Sequence, residues 1–216
     1  MSTTNPHLDF EYSSDDEFRN KDEYPDFGLR EYWDQRYKSD SEPYDWYFEW
    51  SQVSPLLTNY IKSKNKTLVI GCGNSTMSAQ LIQDHFERVI SIDISDVVIK
   101  MMKETYKNEP KLEWYTMSAT QLSFDDECFD VVFDKGTIDA IICNDNGPEL
   151  VTDALTEIYR VLKHSGKFIV ITFESPSRRL KTFHLAKLDW YLHPPQTFQI
   201  SDNDHTVFYI YVLEKK

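Results

Sequence analysis

Long apolar runs are missing from this chain. The longest, such as Phe168 to Phe173, fall far short of the ~18 residues a membrane span needs, and the N-terminus is acidic rather than basic and then apolar. Neither a membrane span nor a secretory signal is expected. Cysteine is scarce: Cys72, Cys128 and Cys143 make an odd number with no Cys-x-x-Cys pair. That points away from a disulfide framework or a cysteine zinc site and toward a reducing, cytoplasmic setting. The 6 histidines show no metal-ligand spacing, so no metal is expected. Positive charge is also short, with 23 Lys and Arg against 36 Asp and Glu and a net charge of −13. Such a chain repels phosphate backbones, which argues against nucleic acid and leaves small molecules or a basic protein surface as partners.

What is present suits one domain of 216 residues around a single core. Residues 1–27 hold the acids Asp9, Glu11, Asp15, Asp16, Glu17, Asp22, Glu23 and Asp26 against Arg19 and Lys21, without apolar periodicity, and read as a disordered acidic tail. The domain proper is placed at 28–216. It opens with an aromatic-dense cover over 28–50, including Tyr32, Trp33, Tyr37, Tyr44, Trp46, Tyr47, Phe48 and Trp50, which packs either on the core edge or on a ligand.

From Ser54 the pattern turns regular. Ser54 and Pro55 suit the start of a helix running to about Asn65. Short apolar strands are predicted at Thr67–Ile70, Val89–Ile92, Leu112–Tyr115, Phe129–Phe133 and Lys167–Phe173, the last entered through the turn His164–Gly166. Helices are predicted between them, one opened by Ser95 and Asp96 and one by Pro148. Continuous apolar strands alternating with helices mean an α/β fold with a doubly wound, mostly parallel sheet covered on both faces. Leu188–Leu192 and Val207–Leu213, joined by a polar loop with Pro194, Pro195 and Asp202–Asp204, read as a closing antiparallel hairpin.

Gly71-Cys72-Gly73-Asn74-Ser75 lies between a strand and a helix, where glycines let the backbone turn tightly and approach a ligand. Asp93 ends the next strand, where a carboxylate can accept both hydroxyls of an adenosine ribose. A dinucleotide fingerprint wants a third glycine where Thr76 stands, and a P-loop wants Gly-Lys-Ser/Thr; neither is present. S-adenosylmethionine has no phosphates and carries a positive sulfonium, which suits an acidic protein with aromatic rings near the site. Cys72 has no local base and reads as a packing residue. Arg178, Arg179 and Lys181 read as a solvated loop, with contact to an acidic part of a substrate as the lesser alternative.

Leu68–Ser75, Asp93, Asp130-Val-Val-Phe-Asp-Lys-Gly-Thr-Ile-Asp-Ala140, and the lead-in Tyr32–Tyr37 with Pro43–Trp46 together resemble the seven-stranded, Rossmann-like class I methyltransferases of the elongation factor 1-alpha lysine methyltransferase group. The resemblance covers residues 28–140 most strongly. It implies S-adenosyl-L-methionine as cofactor, with Trp33, Tyr37 and Trp46 around it, Gly71 against its aminoacyl part, Gly73 also cofactor-binding, Asp93 and Ile94 at ribose and adenine, Ser118 and Ala119 beside adenine, and Lys135 in the pocket. Val69 stands where many members have an acid, and Ser118 where the group has an adenine-contacting Asp. A serine there is a weaker, uncharged partner.

Methyl transfer to an amine needs a neutral nitrogen, whereas a free lysine with pKa about 10.4 is protonated at neutral pH. Asp134, at the end of the fourth strand, is the expected acceptor or orienter of that proton, with Asp139 as a second catalytic candidate; both can also cap the turn after the strand. The expectation is a monomeric enzyme methylating a protein lysine, with elongation factor 1-alpha as the substrate implied by resemblance. A small-molecule methyltransferase and a non-catalytic, cofactor-binding module stay open as alternatives.

Overall fold

The structure is a computed structural model that describes residues 26–199 and 206–216. The expected acidic tail, apart from Asp26 and Phe27, lies outside the described residues, as do Asp202–Asp204 of the expected polar loop.

Strands β1 (Thr67–Ile70), β2 (Val89–Asp93), β3 (Leu112–Thr116), β4 (Phe129–Lys135) and β5 (Leu162–Thr172) run parallel in the order β3-β2-β1-β4-β5. β8 (Phe208–Lys215) then pairs antiparallel with β5. Its other side is taken by β6 (Trp190–Leu192) and β7 (Gln196–Phe198), two pieces of one interrupted edge. The expected hairpin is therefore a central antiparallel strand with a broken edge. Pro194 and Pro195 supply the break, since proline cannot donate to the ladder. Seven strand positions result, the last one split.

Alternation along the strands sends side chains to two faces. Val69, Val131, Phe133, Ile169 and Ile171 face one apolar layer with Trp50, Leu57 and Phe86; Leu68, Ile70, Val132, Phe168 and Val170 face the other with Leu155 and Ile158. Each fully buried Leu, Ile or Phe contributes roughly 1.5–3 kcal/mol, so the sheet is the stable body on which the site is built. Helix α3 (Met77–Gln83) follows β1, and α4 (Asp96–Thr105) is capped by the Ser95 hydroxyl, which accepts from the Val98 amide at 3.4 Å. α6 (Gly147–Val161) carries Pro148 in its first turn, as expected.

Several local expectations are corrected. The early helix is α2 (Trp50–Leu57), not Ser54–Asn65, and Pro55 lies inside it. Trp50 draws the start upstream because its ring packs edge-on against Phe133 and Phe86, 5.3 and 6.0 Å away, while Glu49 and Gln52 form a capping box. β5 begins at Leu162: the His164–Gly166 turn is a bulge within it, with Ser165 at φ 60°, and the pairing with β4 shifts register between Phe129 and Val131. Arg178, Arg179 and Lys181 stand on a helix, α7 (Pro176–His184), rather than a loop. The aromatic block contains a helix, α1 (Arg30–Ser39), and α5 (Thr137–Ile141) follows β4. Among the described residues no helix is long and apolar enough to cross a membrane, and no group of His, Cys, Asp and Glu could hold a metal.

Candidate functional site

The carboxyl ends of β1, β2, β3 and β4 converge under the aromatic block. Gly71 and Gly73 hold φ of 53° and 52°, the left-handed region glycine enters freely. A Cβ on Gly71 would overlap the Thr137 hydroxyl, which donates to the Ile70 carbonyl at 2.9 Å. A Cβ on Gly73 would stand 2.8 Å from the Tyr37 hydroxyl. Both glycines are thus demanded by conformation and by close approach.

Asp93 is buried at 6% exposure, with Oδ2 accepting from the Gly73 amide and Oδ1 from the Ser95 amide, each at 2.9 Å. Burial pushes its carboxyl up to about 6, against the pull of those amides. An ionised carboxylate accepts about four hydrogen bonds, so Asp93 keeps capacity for a ligand. The Met117 amide donates to the Asp93 carbonyl at 2.9 Å and brings Ser118 and Ala119 beside Asp93 and Ile94. The Ser118 hydroxyl meets that of Thr120 at 2.8 Å and accepts the Thr120 amide at 3.2 Å.

Above the turn, Trp33 stacks on Tyr37 with ring centroids 5.9 Å apart and meets Trp46 edge-on at 6.3 Å. From α1, Asp34 accepts the Ser95 hydroxyl at 2.6 Å. The strap Pro43–Phe48 is tied down by Asp45, which accepts from the Ser75 hydroxyl, the Thr76 hydroxyl at 2.8 Å and Lys135 Nζ at 2.9 Å. Lys135 also donates to the Trp46 carbonyl at 3.0 Å. Burial raises the Asp45 carboxyl, but Lys135 and the hydroxyls outweigh it and hold the group below its ordinary value.

Asp134 is 1% exposed, and its Oδ1 accepts the amides of Thr137 at 2.7 Å and Ile138 at 3.3 Å across the left-handed Gly136. Among the described residues no hydrogen bond reaches its Oδ2. Burial and the neighbouring Asp139 push its carboxyl up to about 7. Asp139 is differently placed: Oδ2 accepts the Tyr47 hydroxyl at 2.9 Å, and Oδ1 accepts the Thr172 hydroxyl at 2.8 Å and Nη2 of Arg179. Asp134 thus keeps an unused oxygen, whereas Asp139 is occupied on both.

Residues 68–170 match the profile of a family described as a methyltransferase domain. Over 190 residues the chain is 36% identical to EEF1A lysine methyltransferase 4 of Mus musculus, covering 83% of this chain and 73% of that protein. The chain belongs to the EEF1A lysine methyltransferase family. It is also 36% identical over 184 residues to the eEF1A lysine and N-terminal methyltransferase of Xenopus laevis, although it spans only 27% of that protein. Among solved structures it is similar to the PH0226 protein of Pyrococcus horikoshii OT3, with a TM-score of 0.62, 25% identity and coverage of 77% of this chain and 89% of that one. The chain is an α/β methyltransferase, and the doubly wound sheet expected from the strand pattern is the fold observed.

Within this methyltransferase all the residues singled out for the cofactor (Trp33, Tyr37, Trp46, Gly71, Gly73, Asp93, Ile94, Ser118, Ala119 and Lys135) lie at the strand ends or in the block over them. Two functional candidates, Asp45 and Tyr47, have no role of their own in the sequence pattern. The signal at Asp45 is an acid set among the aromatics of Pro43–Trp46. Tyr47 showed no signal beyond its aromaticity. Arg179 is 1% exposed rather than solvated. Its signal was available: Pro176 opens a helix on which Arg179 and Phe183, four residues apart, share the buried face.

Proposed function

We propose that this methyltransferase moves the methyl group of S-adenosylmethionine onto the side-chain amine of a lysine in elongation factor 1-alpha. The observation that carries the reading is the 36% identity to a named EEF1A lysine methyltransferase over most of both chains. The residues at the strand ends fit the cofactor. Asp93 would hold the ribose hydroxyls, Ile94, Ser118 and Ala119 would flank adenine, and the glycine turn would admit the aminoacyl part beside Lys135. Trp33, Tyr37 and Trp46 suit a positive sulfonium. When bound, the cofactor supplies an electrophilic methyl carbon on that sulfonium.

The chain's own task is to present a neutral amine. A lysine ammonium entering between the aromatic strap and β4 is desolvated, which lowers its pKa. Asp134 Oδ2 would then accept the N–H proton, leaving the nitrogen with the electron pair of that bond as the nucleophile for the methyl group that a bound cofactor would supply. A carboxyl titrating at about 7 is about half ionised at neutral pH, and its ionised fraction is basic enough to take a proton. Asp139 holds the strap and α5 in place. Alignment of the amine supplies much of the remaining rate.

The test incubates the protein with cofactor labelled in its methyl group and purified elongation factor 1-alpha, and in parallel with cell lysate. Label on a lysine of elongation factor 1-alpha is expected; label confined to small molecules, or none, overturns the reading. Asp134→Asn is expected to lower single-turnover rate by about 10²–10⁴ with S-adenosylhomocysteine affinity, measured by calorimetry, little changed.

A further inference from the structure

Arg179 reaches the site from α7. Its Nη2 donates to Asp139 and, at 3.0 Å, to the Thr172 hydroxyl, while its Nε has no partner among the described residues. Packing does not account for such a group. A buried ion pair is often no more stabilising than apolar residues of the same volume, and an orphaned donor adds to its cost.

Tyr47, at the far side of Asp139, is also held under strain. Its φ is 70°, a left-handed conformation that a bulky side chain adopts only under strain. The hydroxyl bond to Asp139 and the rings of Phe208 at 5.2 Å and Phe173 at 6.2 Å keep it there. In that pose its ring sits 3.2 Å from where a Cβ on Gly136 would lie, over the turn that Asp134 caps. Strap, α5, β5 and α7 meet at this one carboxylate.

We propose that Arg179 is a positioning residue for methyl transfer: through Asp139 it pins Tyr47 over the end of β4 and sets the charge that faces Asp134. The inference rests on Asp134 as the proton acceptor. The groups facing Asp134 are Asp139 from α5, Tyr47 from the strap and Arg179 from α7. Tyr211 of β8, whose hydroxyl donates to the Glu174 carbonyl at 2.9 Å, borders Arg179 and Asp139, and Glu174 lies beyond it. Arg179 supplies the positive charge in this group, opposing the rise that burial and Asp139 impose on Asp134.

The experiment is a pH profile of single-turnover methylation of elongation factor 1-alpha at saturating cofactor, with S-adenosylhomocysteine calorimetry on each preparation to count folded sites. Wild type should show an acid limb near pH 7, where Asp134 titrates to about 7. Arg179→Met should move the limb up by about one pH unit or more, giving a loss of about fivefold or more at pH 7 that recovers toward pH 9. Arg179→Lys should return the limb to the wild-type position. Asp139→Asn, which removes the like charge, should move it down. Affinity for S-adenosylhomocysteine should stay within about threefold throughout. A limb at the wild-type position in Arg179→Met, or a loss equal at every pH, overturns the proposal. Should Arg179→Met give no folded sites, the direction in Asp139→Asn decides: downward supports the proposal, and no movement overturns it. Wild type that methylates no lysine would instead sink the function proposed above, so the two failures are distinct.

Discussion

The glycine turn 71–74 and the strap 43–48 face each other across the same site, yet they are held by different forces. The turn is anchored by backbone: the Cys72 amide donates to the Ile92 carbonyl at 2.9 Å, the Gly73 amide to Asp93, and β1 pairs with β2 and β4 over its whole length. The strap has no strand partner. Asp45 and Tyr47 fasten it through side chains to Ser75, Thr76, Lys135 and Asp139, and Phe48 is the one buried apolar residue within it. A turn set by topology resists single polar substitutions. A strap set by a few polar contacts is exposed to each of them, and it can open without unfolding the sheet.

The largest effect should come from breaking the contact at Asp45. Asp45→Ala leaves Lys135, whose side chain is 8% exposed, without its carboxylate, and loss of one partner of a buried pair costs about 3–5 kcal/mol. Protease cleavage within residues 40–50 should accelerate on that scale while far-UV circular dichroism of the sheet persists. A strap as resistant as wild type would show that its aromatic packing holds it.

The turn side makes the opposite wager, burying carboxylates that the sheet must tolerate. Burial raises Asp93 to about 6 and Asp134 to about 7 from an ordinary 3.8. The folded state therefore binds these protons more tightly than the unfolded chain, and the stability they contribute is fully present below pH 3.8 and lost as pH rises through 6 and 7. Asp134→Asn keeps the cap through its amide oxygen and removes the charge. It should stabilise the protein by about 1–3 kcal/mol at pH 8.5 and by little at pH 4. Urea unfolding at both pH values checks this, and equal stability of mutant and wild type at pH 8.5 contradicts it.

The smallest of the three effects belongs to Tyr47→Phe, which deletes one of the donors to Asp139 and should cost about 0.5–1.5 kcal/mol. Because the ring packing survives, strap protection should fall far less than in Asp45→Ala. Equal losses in the two variants would place the strap's hold at Asp139 rather than at Lys135.

Legibility followed the same division. Continuous apolar runs such as Thr67–Ile70 and Phe129–Phe133 declared parallel strands, because both faces of such a strand are covered, and Ser95 declared its helix through a local cap. The strap and α1 did not declare themselves. The charged, aromatic sequence Arg30–Ser39 lacks a clean apolar stripe, so its pattern shows an aromatic cover and not a helix. Pro55 suggested a first turn, but burial of Trp50 against Phe133 and Phe86 moved the helix upstream, an instance of packing overriding a local signal.

What the sequence determined by itself is the sheet, the glycine turn and the acids at the strand ends, because hydrophobic period and backbone conformation are properties of neighbours along the chain. What the tertiary structure alone decided is which of two nearby acids keeps a free oxygen, and to what the strap is fastened. Asp45 meets Lys135 across 90 residues, Tyr47 meets Asp139 across 92, and Arg179 meets Asp139 across 40. Such pairs form only once the sheet has brought their strand ends together and excluded water, and it is that exclusion, absent from any local pattern, that gives a carboxylate or a guanidinium its chemical role.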